Sequence, residues 1–408
     1  MTWNKLLALP VTAVVLLGTS GCAFQDAEKP SASPLRSAIT QGPAPASNVL
    51  LAEGNGAFSA INTANNEVGL SSQPVLISPT GALFYEHRPP SVTINDFATL
   101  KPVGRTSAPK GMELRVASTS ERYLAFSESH ESGASSWIPA PRARTKITVV
   151  PTNRASSPRT YDLKGNFDIE AFSTDDRQLF MIEYMPAQNP WHYGLRRLDL
   201  ESGNVREIAR AKQNAPGEMN GTGRLSLFSP AGHELYTLYT QQGPNYTHTA
   251  PEDAHSDEVY AFVHLLNLEG AWTHCIDLPA PFGTGPVSSH AMAVSQDGNR
   301  LYVADPSSGG LAVIDPRTQR VLRSVTVDLR ALIEGVTASV GGDGALYLAG
   351  GRRVLVFDGS SMLLLRDITL EHSVSGIATS PDASRIYVSS KTGIDVLDSA
   401  TGRRIRTI

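Results

Sequence analysis

The loop "HTAPEDAHSDE" holds the densest group of metal-ligand side chains in the sequence. His248 and His255 offer imidazole nitrogens and Asp253 offers carboxylate oxygens, and zinc accepts both kinds of donor. The loop contains no tight pair such as HxH or HExxH, and polar loops of this composition are mostly just solvated. It therefore predicts either a divalent-metal site at His248, Asp253 and His255 or a plain acidic surface. No other cofactor is expected.

Three successive loops are long and carry aromatic side chains. They are "ESHESGASSWIPAPRART" from Glu128, "PAQNPWHY" from Pro186 and "QQGPNYTHTAPEDAHSDE" from Gln241, whereas other connectors are as short as "DPSSG". Aromatic rings on a protein rim give contact area at a small entropic cost, which favours ligand or partner binding. The alternative is that surface loops vary in length without a function. The candidate ligand-binding residues are Trp137, Trp191, His192 and Tyr193.

Motifs for enzymatic chemistry are missing from the sequence. It has no GxSxG elbow, Walker loop, CxxC pair or GxGxxG fingerprint. Ser, His and Asp are frequent, but their frequency does not make a triad. The sequence therefore identifies no catalytic residue and favours a binding or scaffold module over an enzyme.

A repeated strand pattern must position these loops. "SQDGNRLYVADPSSGGLAVIDPRTQRVLRSVTV" aligns with "GGDGALYLAGGRRVLVFDGSSMLLLRDITL" and with "SPDASRIYVSSKTGIDVLDSATGRRIRTI". Each copy has a turn, an apolar strand, a second turn, a strand that ends in an aliphatic or aromatic residue followed by Asp, and a last strand. Asp297-Gly298 and Asp343-Gly344 suit tight turns because they tolerate positive φ. Earlier segments bring the total to about seven complete copies and one partial copy.

These copies predict four-stranded antiparallel meanders that close into a ring, because one meander cannot bury both of its faces alone. The last three copies resemble the YVTN family of β-propeller repeats, a group that includes WD-type propellers, and the resemblance covers most of Val49 to Ile408. It implies an all-β β-propeller with seven or eight blades. Eight follow if "LRSAITQ" supplies the first inner strand. The fold serves scaffolds, lactonases, lyases and metal carriers alike, so it does not select a function.

A second candidate site lies where the first strands of the blades would begin. With the strands of a blade named A to D from the channel outwards, the long loops are B-to-C loops and emerge on the same face as the start of strand A. A polar ligand could bind there, or the charges could serve solvation alone. Lactonase-type propellers place metal-binding acids at this mouth, so an enzyme remains an alternative. The residues that would ring the mouth are Gln73, Glu113, Asp168, Arg224, His290, Val336 and Ser375.

The N-terminus predicts export. Lys5 precedes the apolar run Leu6 to Leu17, which is too short to span a bilayer, and "LLGTSGC" resembles a bacterial lipobox ending at Cys22. Lipidation of Cys22 would leave Cys275 without a partner, so no disulfide is expected. The predicted organisation is a signal peptide at 1–21, a lipidated Pro/Ala/Ser-rich stalk at 22–47 and one propeller at 48–408.

The overall composition is that of a folded, mildly acidic protein. The 408 residues are 41% hydrophobic and 18% charged, with a formal net charge of -4, so nothing favours nucleic acid as a partner. We expect a monomer on the outer side of a bacterial membrane, or in a periplasm, held to the membrane by its lipid alone. It would bind a protein, a glycan or a small molecule at its loop-rich face. A propeller enzyme and a periplasmic metal carrier are the alternatives.

Overall fold

The fold is known from a computed structural model. It describes 7–9, 49–54, 57–62, 68–72 and then 75–408, apart from 130–131, 136–137, 154–155, 211–217, 220, 242–259, 286–288, 333–334 and 381. Side chains are described from 75 onwards, except those of 132–135, 138 and 222–224. Among the described residues, no helix has the length and hydrophobicity that crossing a membrane requires.

The first four sheets each contain an antiparallel meander of four strands. A small hairpin lies in the loop between the second and third strands of sheet 3. Sheet 1 is β1 (Leu7–Leu9), β2 (Val49–Gly54), β3 (Ala57–Asn62) and β4 (Val68–Ser72); sheet 2 is β5 (Val75–Ile77), β6 (Leu83–Arg88), β7 (Ser91–Asp96) and β8 (Pro102–Ser107); sheet 3 is β9 (Met112–Ala117), β10 (Tyr123–Glu128), the hairpin β11 (Ser132–Ser135) and β12 (Ile138–Pro139), β13 (Arg144–Pro151) and β14 (Arg159–Lys164); sheet 4 is β15 (Asn166–Phe172), β16 (Gln178–Met185), β17 (His192–Asp199) and β18 (Val205–Glu207).

The last four sheets repeat this meander, and sheet 5 has a short additional strand that runs parallel to its outermost strand. A 3₁₀ turn, Arg330–Leu332, precedes sheet 7. Sheet 5 is β19 (Ala209–Arg210), β20 (Thr222–Phe228), β21 (Glu234–Thr240), β22 (Phe262–Asn267) and β23 (Trp272–Asp277); sheet 6 is β24 (Ala291–Val294), β25 (Leu301–Asp305), β26 (Gly310–Asp315) and β27 (Arg320–Thr326); sheet 7 is β28 (Thr337–Val340), β29 (Leu346–Gly350), β30 (Arg353–Phe357) and β31 (Leu364–Thr369); sheet 8 is β32 (Val374–Thr379), β33 (Arg385–Ser390), β34 (Gly393–Asp398) and β35 (Arg404–Thr407).

The first strands of the sheets meet at the hub. Strand β9 contacts β5 and β15, β24 contacts β20 and β28, and β32 contacts β28 and β1. Neighbouring sheets therefore pack face to face around a centre, and the all-β propeller with four-stranded antiparallel blades is confirmed.

Seven of the sheets occupy Val75 to Thr407, and sheet 1 is an addition from the N-terminal segments. The strand that completes sheet 1 is Leu7–Leu9, within the segment predicted as an export signal. The segment "LRSAITQ", which the sequence suggests for this position, lies outside the described part of the chain. Strand β1 lies beside β32, so sheet 1 adjoins the last sheet.

The hydrophobic core lies between neighbouring sheets. Tyr347 and Val354 of sheet 7 form one buried cluster with Ile377, Ile386 and Val388 of sheet 8. Because each sheet buries one face against the sheet before it and the other against the sheet after it, central strands such as "LYVAD" are apolar on both faces and do not alternate. The fold thus depends on contacts between blades.

The A-to-B turns share one hydrogen-bond pattern. Gly298 and Gly344 have positive φ, as their predicted turns require. In six sheets a turn serine accepts, through Oγ, the backbone N–H of the residue five positions later at 2.9–3.1 Å. The serines are Ser78, Ser118, Ser173, Ser229, Ser295 and Ser380.

The C-to-D turns use a second pattern. At or just after the end of the third strand, a side-chain oxygen accepts the backbone N–H three residues later at 2.6–3.2 Å. This bond closes the turn and explains the Asp that recurs in the repeat. The acceptors are Asp96, Asp199, Asn267, Asp315, Asp358 and Asp398.

Candidate functional site

The three long loops are B-to-C loops of neighbouring sheets, as predicted. They connect β10 to β13, β16 to β17 and β21 to β22, and we call residues 129–143, 186–191 and 241–261 the loop face. The backbone N–H of Arg142 donates to the carbonyl oxygen of Ala187 at 3.0 Å, which joins the first loop to the second. The guanidinium of Arg142 donates to the carbonyl oxygen of Ser129 at 2.6 Å and braces the first loop internally.

Trp191 is the exposed aromatic residue of the second loop. The residue is 57% exposed, while its backbone N–H donates to the carbonyl oxygen of Met185 at 3.0 Å. Its ring lies 4.0 Å from the ring of His192, and Nε2 of His192 is 3.3 Å from a carboxylate oxygen of Glu218. The indole is therefore presented to solvent on a short, hydrogen-bonded loop. A fixed aromatic side chain of this kind suits an anchor in binding.

Tyr193 does not belong to the exposed rim, contrary to the expectation from the sequence. It is 2% exposed and belongs to the core between sheets 4 and 5, with its ring 5.8 Å from that of Tyr239 in a stacked arrangement. Strand β17 begins at His192, so successive side chains point to opposite faces of the sheet and Tyr193 points into the core.

Several predicted site residues lie outside the described part of the chain. Trp137 in the first loop is one, and the metal candidates His248, Asp253 and His255 and the lipidation candidate Cys22 are others. The backbone of Arg224 lies in β20, and its side chain is not described. Within the residues that the structure does describe, no three His, Cys, Asp or Glu side chains are grouped as metal ligands.

Glu113 and Asp168 are brought together at the hub by an arginine. The guanidinium of Arg115 donates to a carboxylate oxygen of Asp168 at 2.6 Å and lies 3.4 Å from one of Glu113. Asp168 and Arg115 are buried, whereas the Glu113 side chain is 27% exposed and accepts a hydrogen bond from Ser129 of the loop face at 2.8 Å. Arg115 thus supplies the positive charge that a bound cation would supply between two acids.

His290 forms a pair with an aspartate within sheet 6. Its Nε2 lies 3.2 Å from Oδ2 of Asp305, and both side chains are fully buried. Burial alone would raise the pKa of Asp305, but the hydrogen bond and charge of His290 and the hydroxyls of Ser307 and Ser308 hold that pKa well below its usual range. The second carboxylate oxygen also accepts the backbone N–H of Ser307 at 3.0 Å.

Together with Ser289, the buried pair has the residue types of a hydrolase triad, but the serine is not accessible to a substrate. Ser289 Oγ lies 3.3 Å from Nδ1 of His290, on the ring nitrogen opposite Asp305. Ser289 is buried as well, so its hydroxyl is not presented to a substrate. The arrangement instead fixes the start of β24 to the B-to-C turn after β25. His290 was predicted from the sequence as a site residue, whereas Asp305, the last residue of "LYVAD", and Arg115 were not.

Comparisons with known proteins identify the fold class. No protein-family model matches the chain, and no curated protein matches it. It is similar to hydrazine synthase from Kuenenia stuttgartiensis (15% identity, TM-score 0.47, 93% of this chain and 99% of that chain) and to the dihydro-heme d1 dehydrogenase NirN in complex with DHE (13%, 0.52, 91% and 75%). Sqt1 from Saccharomyces cerevisiae is also similar (10%, 0.48, 98% and 100%). At these identities a likeness shows the fold alone. This chain is a β-propeller, as its packed sheets show, and the likeness to NirN, whose TM-score exceeds 0.5, agrees with that fold.

Proposed function

We propose that this chain is an exported, lipid-tethered β-propeller of the YVTN type that binds a partner protein at its loop face. The observation that carries the proposal is Trp191, an exposed indole on a loop that is hydrogen-bonded to its own strand and placed beside a second braced loop. A ring of packed sheets does not need to be ordered on binding, so little affinity is lost to conformational entropy. Large aromatic side chains on such a platform are typical binding hot spots.

The enzyme and metal-carrier alternatives have less support. Glu113 and Asp168 already share Arg115, and His290 is committed to Asp305. The arrangement of the described side chains at the hub therefore does not favour cation binding or an activated nucleophile there. A metal site at His248, Asp253 and His255 stays a prediction that elemental analysis of the metal-incubated protein would test.

Site-specific photo-cross-linking tests the binding proposal. A benzophenone amino acid placed at Trp191 in cells that produce the full-length protein is expected to give a discrete adduct, and mass spectrometry then identifies the partner. Val103, which is 61% exposed on the outer strand of sheet 2, is the control position and is expected to give no such adduct. No adduct at 191, or the same adduct at both positions, would contradict the proposal.

The contribution of Trp191 is measured with the purified partner. Trp191→Ala is expected to weaken binding about 30-fold, because a hot-spot indole contributes about 2 kcal/mol or more. The melting temperature is expected to stay unchanged, since the side chain is exposed. Val103→Ala is the matched control, and equal affinity of the two variants would exclude Trp191 as the anchor.

The tether is tested separately. Mass spectrometry of the protein from a membrane fraction is expected to show an N-terminus at Cys22 that carries acyl chains, and Cys22→Ser is expected to abolish the acylation. An unmodified N-terminus would remove the tether and leave the binding proposal standing.

A further inference from the structure

A cleft of about 500 Å³ lies between the outer parts of sheets 2 and 3, outside the loop face. Its size falls within the roughly 300–1,000 Å³ that is usual for small-molecule sites. Ser91 and Arg105 line it from sheet 2, and Pro151, Ser156 and Ser157 line it from sheet 3. The hydroxyl of Thr106 donates to the carbonyl oxygen of Pro151 at 2.9 Å, so a buried hydrogen bond between the two sheets fixes the cleft walls.

Among the described residues that line the cleft, Arg105 has the one charged side chain. Its Nε and Nη2 both donate to Ser91 Oγ, at 3.0 and 2.7 Å, and Ser91 is itself buried. The guanidinium is therefore oriented by an uncharged partner. Among the described residues no carboxylate pairs with Arg105, and none of the residues that line the cleft is Asp or Glu. The described lining thus holds an oriented cation without a counter-charge.

The remaining lining defines the kind of anion. Pro90, Pro151 and Pro158 supply apolar ring faces to the described part of the lining. Ser156 and Ser157 supply hydroxyls that can bond to ligand hydroxyls. One guanidinium matches the charge and planar shape of one carboxylate.

We propose that this cleft binds a hydroxylated carboxylate, either a free sugar acid or the uronic acid of a glycan. Arg105 pairs with the carboxylate, the prolines pack against the ring, and the serines bond to the ring hydroxyls. The site is independent of the partner site proposed at the loop face.

Calorimetry with sodium glucuronate tests this site on the full-length protein. Glucuronate is expected to bind saturably and at least tenfold more tightly than either glucose or the methyl ester of glucuronate, which lacks the charge. Arg105→Gln is expected to weaken glucuronate binding at least tenfold. Arg144→Gln is the matched control, because Arg144 is an exposed arginine of sheet 3 that already pairs with Asp162 at 2.9 Å. Trp191→Ala is expected to leave glucuronate binding unchanged.

Several outcomes would overturn the proposal. They are the absence of saturable glucuronate binding, equal affinity of the wild type and Arg105→Gln, and inorganic phosphate binding as tightly as glucuronate. Ser157→Trp provides a second variant, since an indole at this lining position occupies the cleft while Arg105 is retained, and it is expected to block binding. A glucuronate-containing oligosaccharide that binds tenfold more tightly than the monomer would identify the source as a glycan, whereas equal affinities would identify a free sugar acid.

Discussion

At the scale of single residues, the buried pair of His290 and Asp305 shows how polar groups secure one blade. Both side chains are fully buried, and the carboxylate also accepts hydrogen bonds from Ser307 and Ser308. A buried carboxylate with several partners is stable only while all of them are present. The pair therefore ties the start of β24 to the turn that follows β25.

Removing this charge is expected to destabilise the protein. Asp305→Asn retains the shape but removes the negative charge that faces His290 and accepts hydrogen bonds from Ser307 and Ser308, and we expect the free energy of unfolding in urea to fall by about 3 kcal/mol. Asp328→Asn is the control, because Asp328 pairs with Arg330 on the surface, where both side chains are exposed and such a pair contributes little. Equal effects of the two substitutions would show that the buried pair has no special role.

Contacts between distant side chains marked the limit of prediction from sequence. Glu113, Asp168 and His290 were identified because their positions relative to the turns could be counted. Arg115 was missed as the link between two acids, since it lies 53 positions from Asp168 in the chain and the direction of its side chain depends on how the blades pack. Tyr193 was assigned to the rim because the sequence does not show at which residue β17 begins. A shift of one residue moves a side chain to the opposite face of the sheet.

At the scale of elements, the turns explain why the repeat could be recognised. The serine of the A-to-B turn and the aspartate of the C-to-D turn accept hydrogen bonds from backbone N–H groups that lie no more than five residues later in the chain. Local chemistry of this kind is visible in sequence. Strand β1 had no such signal, because its pairing with β2 joins segments far apart along the chain.

The turn aspartates make stability depend on pH. Hydrogen bonds from Thr99, Ser202, Ser361 and Thr401 lower the pKa of the aspartate three residues before each of them. A carboxylate with a depressed folded-state pKa stabilises the fold fully above its unfolded pKa of about 4, and this stabilisation is lost as the pH falls towards the folded-state pKa. We therefore expect the melting temperature to decrease between pH 5 and pH 3. The four aspartates are Asp96, Asp199, Asp358 and Asp398.

Replacing these four aspartates together by Asn tests the assignment. Sheet 5 already uses Asn267 at the equivalent position, where its side-chain oxygen accepts the N–H of Gly270 at 2.6 Å, so the turn tolerates the amide. The quadruple variant is expected to show a smaller decrease in melting temperature between pH 5 and pH 3 than the wild type. Asp162→Asn, which changes an exposed aspartate outside the turns, is the control. If the melting temperature of the quadruple variant fell by as much as that of the wild type, groups other than these four aspartates would cause the acid sensitivity.

At the scale of the whole molecule, the ring converts blades that are unstable alone into one cooperative unit. Sheet 7 buries Tyr347 and Val354 only because sheet 8 covers them with Ile377 and Ile386. A closed ring differs in this respect from an open stack of repeats, in which the loss of a terminal repeat shortens the protein without unfolding it. Closure also explains the rigidity that the proposed binding function requires.

Deletion of the last blade distinguishes these two architectures. The fragment 1–373 would expose the face of sheet 7 that now packs against sheet 8. We expect this fragment to lose its cooperative calorimetric transition and its near-ultraviolet circular dichroism, and addition of the separately produced segment 374–408 to restore both. Because the missing apolar contacts are non-covalent, the segment can supply them from a second chain. A fragment that melts cooperatively at the temperature of the full-length protein would show that the blades stack without depending on closure.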